Sequence, residues 1–195
     1  MAESNDPIAR FGALFDLAKR KETADATAMT LATADAAGAP DARVVLLKAF
    51  DSRGFVFYTN HNSPKGVELA ANPRAALVFH WPVIKWQVRV AGSVEFATDE
   101  ESDAYFASRA RGSQLGAWAS HQSEVLVTRA DLVKRYFQLK MKYLGRAVPR
   151  PPHWGGYRVV PDRIEFWHDR RLRLHDRFLY TRQPDGSWTM ARLSP

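Results

Sequence analysis

The sequence contains no cysteine among its 195 residues, which excludes disulfide bonds, thiolate metal sites and cysteine nucleophiles. It also has no apolar run near the roughly 20 residues that a membrane-spanning helix needs. Residues 1–7 are polar and acidic, without a basic segment leading into an apolar one, so we expect no secretory signal. These absences predict a soluble, cytoplasmic protein that has no membrane partner.

The motifs of several large enzyme classes are missing as well. No G-x-G-x-x-G or G-x-x-x-x-G-K-[ST] loop is present, so side chains rather than a glycine turn must hold any nucleotide. The six histidines lack H-x-x-x-H and H-E-x-x-H spacing, and no acidic cluster surrounds them, so we expect no metal site. No serine lies in a G-x-S-x-G sequence, which disfavours a hydrolase.

The charge of the chain is unbalanced, with a formal net charge of +7. An excess of this kind raises the question of an anionic partner, and nucleic acid is the first to consider. The basic residues are scattered, however, and the densest group, between Arg170 and Arg177, is interleaved with leucine, histidine and aspartate. A solvated basic surface and a phosphate-bearing small molecule both explain the excess, and we expect no nucleic-acid partner.

Hydrophobic periodicity predicts one mainly β domain with peripheral helices, of the α+β class. The predicted helices cover about residues 6–21, 63–72, 98–109 and 130–144. Asp6, followed by Pro7, is the predicted N-cap of the first helix, and Thr98 and Glu101 form a predicted capping box at the start of the third. The predicted strands cover residues 27–33, 43–50, 55–59, 75–81, 86–96, 157–160, 163–167, 178–181 and 188–193. Short strands at hairpin spacing, without alternating βαβ units, favour an antiparallel barrel.

Several short clusters combine cations with hydroxyl groups. Arg43 and Lys48 flank an apolar strand, and Tyr58-Thr59 ends the next one. Lys65 lies at the start of a short helix, where free backbone N–H groups suit a phosphate. Each cluster alone is better explained by ordinary strand ends and a helix cap.

The segment Arg173-Leu-His-Asp-Arg177 carries a sharper signal. If it is extended, Arg173, His175 and Arg177 lie on one face, because strand side chains alternate with a period of two. Three potential cations on one face repel one another unless an anion lies among them. A solvated edge strand, with Asp176 as a neutralising neighbour, is the alternative, and the residues leave both open.

Taken together, these clusters resemble the pyridoxine/pyridoxamine 5'-phosphate oxidase family. The resemblance extends from about Asp6 to Pro195 in order and spacing. The segments that carry it are Arg43-Val-Val-Leu-Leu-Lys48, Phe55-Val-Phe-Tyr-Thr-Asn60, Ser108-Arg-Ala-Arg-Gly-Ser113, Gly116-Ala-Trp-Ala-Ser120, Pro151-Pro-His-Trp-Gly-Gly-Tyr157, Arg163-Ile-Glu-Phe-Trp167, Arg173-Leu-His-Asp-Arg177 and Arg192-Leu-Ser-Pro195.

The resemblance implies a single Greek-key split-barrel domain over residues 1–195 that binds FMN between the two chains of a homodimer. It assigns residues 150–195 to dimerisation and the active site. The residues it implies for FMN are Arg43, Lys48, Tyr58, Thr59, Lys65, Gln87, Trp167 and Arg177, with Gln122 and Ser123 from the other chain. The residues it implies for the substrate are Lys48, Tyr105, Arg109 and Ser113 around the phosphate, with Arg173 and His175 over the pyridine ring as the catalytic pair.

The implied reaction oxidises pyridoxamine or pyridoxine 5'-phosphate to pyridoxal 5'-phosphate, with hydride transfer to FMN and oxygen as the final acceptor. One departure from the family pattern is Pro64, where the family commonly has arginine or another polar residue. Proline offers no cation and no backbone N–H, which predicts weaker binding of the FMN phosphate. The alternatives are a non-catalytic flavin or pyridoxal-phosphate binding protein and another split-barrel flavin oxidoreductase.

Overall fold

The computed structural model describes residues 5–195, which form a curled antiparallel sheet surrounded by helices. The strands of this part of the chain are β1 (Ala28–Ala34), β2 (Pro40–Leu46), β3 (Ala49–Asp51), β4 (Gly54–Asn60), β5 (Arg74–Trp81), β6 (Trp86–Phe96), β7 (Trp154–His168), β8 (Asp176–Arg182) and β9 (Trp188–Leu193). The helices are α1 (Pro7–Lys21), α2 (Pro64–Ala71), α3 (Asp99–Ser108), α4 (Arg111–Ala119) and α5 (Arg129–Lys142), with a 3-10 helix at Arg171–Arg173. None of the helices among residues 5–195 combines the length and the apolar character needed to cross a membrane.

The sheet closes on itself through two consecutive residues. Its strand order is β2-β1-β5-β6-β7-β4-β3, and β8 and β9 extend it from β7. The strands at the two ends, β2 and β3, are joined only by Leu47 and Lys48. The N–H of Leu47 donates to the Thr27 carbonyl and that of Lys48 to the Val56 carbonyl, both at 2.9 Å. The chain thereby bridges both ends of the sheet, and the predicted antiparallel split barrel is confirmed.

Two hydrophobic cores support this fold. In the larger core, α1 buries Phe11, whose ring lies 4.9 Å from those of Phe50 and Phe55. The predicted N-cap is confirmed, because the Asp6 carboxylate accepts from the Ile8 N–H at 2.8 Å. The second core consists of Phe106, Leu115, Val148 and Trp154. It joins α3, α4 and β7 on the side of the molecule that carries the candidate site.

Two strand predictions were wrong. The predicted strand 43–50 is interrupted at Leu47 and Lys48, where the chain passes from one end of the sheet to the other. The predicted strands 157–160 and 163–167 are one strand, β7, which continues through Pro161. The pairing of β7 with β6 shifts register there: Ala91 pairs with Arg163 and Gly92 with Pro161, so Asp162 is the extra residue of a bulge in β7. A side chain at Gly92 would place its Cβ 1.9 Å from the Val160 carbonyl oxygen, so only glycine fits there.

The helical predictions missed α4 and extended α3 too far. Two glycines, Gly112 and Gly116, lie in α4, and Ala110 at its N-cap provides no side-chain acceptor, so the local helix signal is weak. The capping box at Thr98 and Glu101 starts α3 as predicted. Arg109, however, follows the last helical residue with an extended backbone, so it does not share a regular helix face with Tyr105.

Candidate active site

A cleft of about 560 Å³ lies between the β2–β3 crossing, the end of β4 and the α3–α4 junction. Most of the predicted FMN and phosphate residues meet there. Its lining comprises Arg43, Val44, Val45, Leu46, Lys48, Tyr58, Thr59, Lys65, Tyr105, Arg109, Ala110, Ser113, Gln122 and Trp154. These side chains include four cations and no carboxylate.

Arg43 and Lys48 line the same cleft although they are five residues apart. A regular strand places residues at this spacing on opposite faces. The interruption at Leu47 and Lys48 removes that constraint, because β2 ends at Leu46 before the chain turns into β3. The guanidinium of Arg43 is held by Glu68 on α2 at 2.9 Å, and it also contacts Asp41 and Thr33.

The tight turn between β4 and α2 brings Lys65 to the cleft. The Ser63 hydroxyl donates to the Asn60 carbonyl at 2.7 Å and accepts from the Lys65 ammonium at 3.2 Å. The side chain of Ser63, the N-cap residue of α2, makes no capping hydrogen bond to the first turn of that helix. Gly66 permits the turn, since a Cβ there would lie 2.1 Å from the His61 carbonyl oxygen. Lys65 is only 7% exposed, and its burial, together with nearby Arg43, lowers its pKa.

The opposite wall of the cleft is aromatic. The rings of Tyr58 and Tyr105 stack at 4.1 Å, and the ring of Trp154 stacks on Tyr58 at 5.4 Å. The Tyr58 hydroxyl donates to the Glu101 carbonyl at 3.3 Å, and burial raises the pKa of Tyr58. Beside this stack, the guanidinium carbon of Arg109 lies 4.8 Å from the Trp154 ring centre.

Gln122 and Ser123 occupy different positions. Gln122 lines the cleft of its own chain, where its side-chain oxygen accepts from the Thr59 hydroxyl at 3.3 Å. Gln122 therefore reaches the cleft of its own protomer, and no second chain is needed to place it there. Ser123 lies beside a neighbouring cavity of about 160 Å³ and has a positive φ of 70°. Their contribution to a partner's site stays a prediction.

The remaining predicted flavin residues form a separate group on the outer part of the sheet. Gln87 of β6 pairs with Trp167 of β7, and Trp167 pairs with Arg177 of β8. Arg177 donates to the Glu165 carboxylate at 2.8 Å and to the Ser194 carbonyl at 2.9 Å. None of these residues lines the cleft described above.

The segment from Arg173 to Arg177 is not extended, so the condition for placing its three cations on one strand face is not met. Arg173 belongs to the 3-10 helix and has a positive φ of 61°, and β8 begins only at Asp176. The three predicted cations therefore do not alternate along one strand face. Arg173 is exposed. The His175 ring lies 4.5 Å from that of Trp167, and its Nδ1 atom lies 3.2 Å from Asp169.

Sequence reasoning missed three residues that organise the cleft. Glu68 holds Arg43, Trp154 faces Arg109, and Arg158 of β7 donates to Glu101 at 2.7 Å. Trp154 and Arg158 lie within or beside segments used for the family resemblance, but nothing in the sequence indicates their contacts. Each contact joins residues more than 20 positions apart, so only the tertiary structure reveals it.

Comparison with known proteins identifies the family. The profile described as pyridoxamine 5'-phosphate oxidase matches residues 16–168. The chain belongs to this family. A second profile, described as the pyridoxine 5'-phosphate oxidase C-terminal dimerisation region, matches residues 154–195.

Curated relatives support this assignment over nearly the whole chain. The pyridoxine/pyridoxamine 5'-phosphate oxidase of Myxococcus xanthus is 59% identical, covering 97% of this chain and 92% of the relative. The enzyme of the same name from Caulobacter vibrioides is 54% identical, covering 100% of this chain and 87% of the relative. The chain is therefore an enzyme of the pyridoxine/pyridoxamine 5'-phosphate oxidase family.

Solved structures support the fold. PhzG from Burkholderia lata, in complex with tetrahydrophenazine-1-carboxylic acid, is 32% identical, with a TM-score of 0.91 over 100% of this chain and 95% of that chain. A pyridoxamine 5'-phosphate oxidase-related, FMN-binding protein from Nostoc punctiforme is 17% identical. Its TM-score is 0.80 over 98% of this chain and 100% of that chain, and at this identity the likeness concerns the fold alone.

Proposed function

We propose that this enzyme oxidises pyridoxamine or pyridoxine 5'-phosphate to pyridoxal 5'-phosphate, using FMN and oxygen and releasing hydrogen peroxide. The observation that carries the proposal is the cleft of about 560 Å³, which brings together two sets of anion-binding groups. Arg43, Lys65 and Thr59 form one set. Lys48, Tyr105, Arg109 and Ser113 form the other. A phosphorylated flavin and a phosphorylated substrate supply two anionic groups for these sets.

The side chains present fit FMN. Lys65 is buried and forms no ion pair with a carboxylate among residues 5–195, and burial together with nearby Arg43 lowers its pKa, which reflects the cost of holding a charge there. The Glu68 contact keeps Arg43 in place, and the uncapped first turn of α2 adds backbone donors. FMN, when bound, supplies the hydride-accepting chemistry, which no side chain of this protein can provide.

The substrate set fits a phosphomonoester. Lys48 and Arg109 provide charge, and Tyr105 and Ser113 provide hydroxyl donors within the same cleft. Anchoring the phosphate there orients the rest of the substrate beside the exposed apolar side chains of β2, Val44 and Leu46. The phosphate contacts bind and position the substrate, and they transfer no proton.

We further propose that the complete site forms between two copies of the chain. Arg173 and His175, which we assign to the pyridine ring, lie outside the cleft of their own protomer, with the group formed by Gln87, Trp167 and Arg177. A homodimer brings this group of one protomer to the cleft of its partner. His175 and Arg173 then position the substrate and stabilise charge next to the reacting carbon.

The test is an oxidation assay of the purified, FMN-loaded protein with pyridoxamine 5'-phosphate. We expect the flavin absorbance to bleach without oxygen, and the aldehyde and peroxide to form in air. Arg173→Ala should lower turnover while flavin binding persists. A flavin that neither phosphorylated vitamer reduces would refute the proposal.

The likeness to PhzG favours one second candidate, oxidation of a reduced aromatic carboxylic acid of the tetrahydrophenazine type. Such a substrate has no phosphate and gives the Lys48–Arg109 set a carboxylate instead. Bleaching by a tetrahydrophenazine carboxylate, with none by pyridoxamine 5'-phosphate, would replace the first proposal with this one.

A further inference from the structure

The structure assigns Trp154 a positioning role: its indole face holds Arg109 so that the guanidinium stays free to bind the substrate phosphate. This inference rests on the proposed function, because it concerns the same phosphate set. It goes further by giving a residue outside that set control over the preference for phosphorylated substrates.

Arg109 differs from the other arginines of the site in what surrounds it. Arg43 is paired with Glu68 at 2.9 Å and Arg177 with Glu165 at 2.8 Å. Arg109, in contrast, forms no ion pair with any residue in the range 5–195. Its guanidinium carbon lies 4.8 Å from the centre of the Trp154 ring and 5.7 Å from that of Phe106.

A cation held by aromatic faces keeps its in-plane N–H donors available. The attraction acts through the ring quadrupole within about 6 Å and consumes no hydrogen bond. A carboxylate partner at the same place would neutralise the charge and occupy two donors. The Nη1 atom of Arg109 is buried and has no hydrogen-bond partner among residues 5–195, a condition that costs free energy until an acceptor arrives.

Trp154 is itself firmly held. It is 7% exposed, belongs to the second hydrophobic core and stacks on Tyr58 with an interplanar angle of 9°. The Tyr105 ring continues the stack at 6.1 Å from Trp154. The carbonyl of Trp154 accepts from Arg150 at 2.9 Å. A rigid indole face fixes the height and orientation of the guanidinium above it.

The test compares phosphorylated and unphosphorylated ligands in the FMN-loaded enzyme. For Trp154→Leu, we expect the KM for pyridoxamine 5'-phosphate to rise about tenfold with little change in kcat. The kcat/KM for pyridoxamine, which lacks the phosphate, should change less than about twofold. Trp154→Phe keeps an aromatic face and should raise the KM for pyridoxamine 5'-phosphate about threefold. This variant provides the test if Trp154→Leu does not fold.

The matched control is Trp118→Leu. Trp118 packs on the same hydrophobic core, and its indole N–H donates to the Pro149 carbonyl at 2.7 Å. Trp118→Leu should not alter the preference for the phosphorylated substrate. In an Arg109→Gln background, Trp154→Leu should raise the KM by less than about twofold, because the cation it positions is gone.

Two outcomes would overturn the positioning role. Equal losses of kcat/KM for pyridoxamine 5'-phosphate and pyridoxamine would mean that Trp154 only shapes the cleft. An undiminished effect of Trp154→Leu on the KM in the Arg109→Gln background would exclude coupling between Trp154 and Arg109. Equilibrium binding of pyridoxal 5'-phosphate and pyridoxal provides a readout that does not require turnover. If the wild-type protein oxidises neither substrate, the proposed function fails, and these binding constants still decide the role of Trp154.

Discussion

Replacement of Arg158 by methionine tests whether buried charge holds the wall of the cleft. The Arg158 side chain is 4% exposed and lies 2.7 Å from Glu101, 3.3 Å from Asp51 and 3.6 Å from Glu95. Glu101 starts α3 and accepts the Tyr58 hydroxyl through its carbonyl, so Arg158 links β7 to the aromatic stack. Methionine retains much of the length of the side chain and removes its charge.

We expect Arg158→Met to lower the free energy of unfolding at pH 7 by about 3 kcal/mol. This is near the low end for breaking a buried ion pair, because Glu101 and Asp51 are partly solvated and still contact Arg53. For a chain of 195 residues, the loss corresponds to a decrease in Tm of roughly 6–12 °C. Arg53→Met is the matched control, since Arg53 contacts the same two carboxylates but its side chain is 60% exposed. Its Tm should stay within about 2 °C of wild type.

The loss should also depend on pH. Burial opposes ionisation of Asp51 and Glu101, but hydrogen bonds and the neighbouring arginines outweigh it, so both pKa values lie below their usual 3.8 and 4.5. A carboxylate with a lowered pKa in the folded state stabilises the protein above its unfolded pKa, and this contribution disappears as the pH falls through the folded pKa. Without Arg158 these carboxylates protonate more easily, so the cost of Arg158→Met should be smaller at pH 4 than at pH 7.

The measurement is thermal unfolding followed by circular dichroism at both pH values. Protein and FMN concentrations must be the same in all samples, because ligand binding and oligomerisation shift Tm. Equal shifts for Arg158→Met and Arg53→Met would refute the reasoning, and so would a shift for Arg158→Met that does not diminish at pH 4.

Two other substitutions test the turn between β4 and α2. Pro64→Arg should lower the Kd for FMN about fivefold by adding a cation beside Lys65. A flavin fluorescence titration measures this Kd. Pro64→Ala adds no charge, so its Kd for FMN should stay close to that of the wild type. His61→Gln should reduce the decrease in Tm between pH 7.5 and pH 5.5. Burial lowers the pKa of His61, so the stability associated with its neutral ring is fully present above the usual pKa of 6.5. This stability is lost as the pH falls towards the pKa of the folded state. An unchanged pH dependence, or an equal change in the exposed His121→Gln, would contradict this.

Local signals predicted the elements whose residues interact with near neighbours in the sequence. The Asp6 cap and the Thr98 capping box depend on contacts within a few residues, and the structure confirms both. The helix α4 escaped prediction because its glycines weaken the local signal, and the second core, through Leu115, supplies its stability. The interruption between β2 and β3 escaped because sheet closure, which is a property of the whole domain, determines it.

The features of the candidate site also divide into those that the sequence predicted and those that depend on tertiary structure. Residue types and the family resemblance predicted a set of binding side chains, and nine of them line one cleft. The conformation of the Arg173 segment could not be predicted, because positive φ values at Leu172 and Arg173 are rare for residues other than glycine. The partners of the arginines could not be predicted either, since Glu68, Trp154 and Glu165 meet them only through tertiary packing.

These partners support our proposal that one cleft accepts two phosphates. Lys48, Lys65, Arg43 and Arg109 all line it, and such a concentration of positive charge is unfavourable without anions. Glu68, outside the lining, offsets part of this charge next to Arg43, and burial beside Arg43 lowers the pKa of Lys65. At Arg109 an indole face attracts the cation without neutralising it. Under the proposed function, Glu68 therefore offsets part of the positive charge on the flavin side before any ligand binds, whereas Arg109 on the substrate side pairs with no carboxylate among residues 5–195 and keeps its charge for the substrate phosphate.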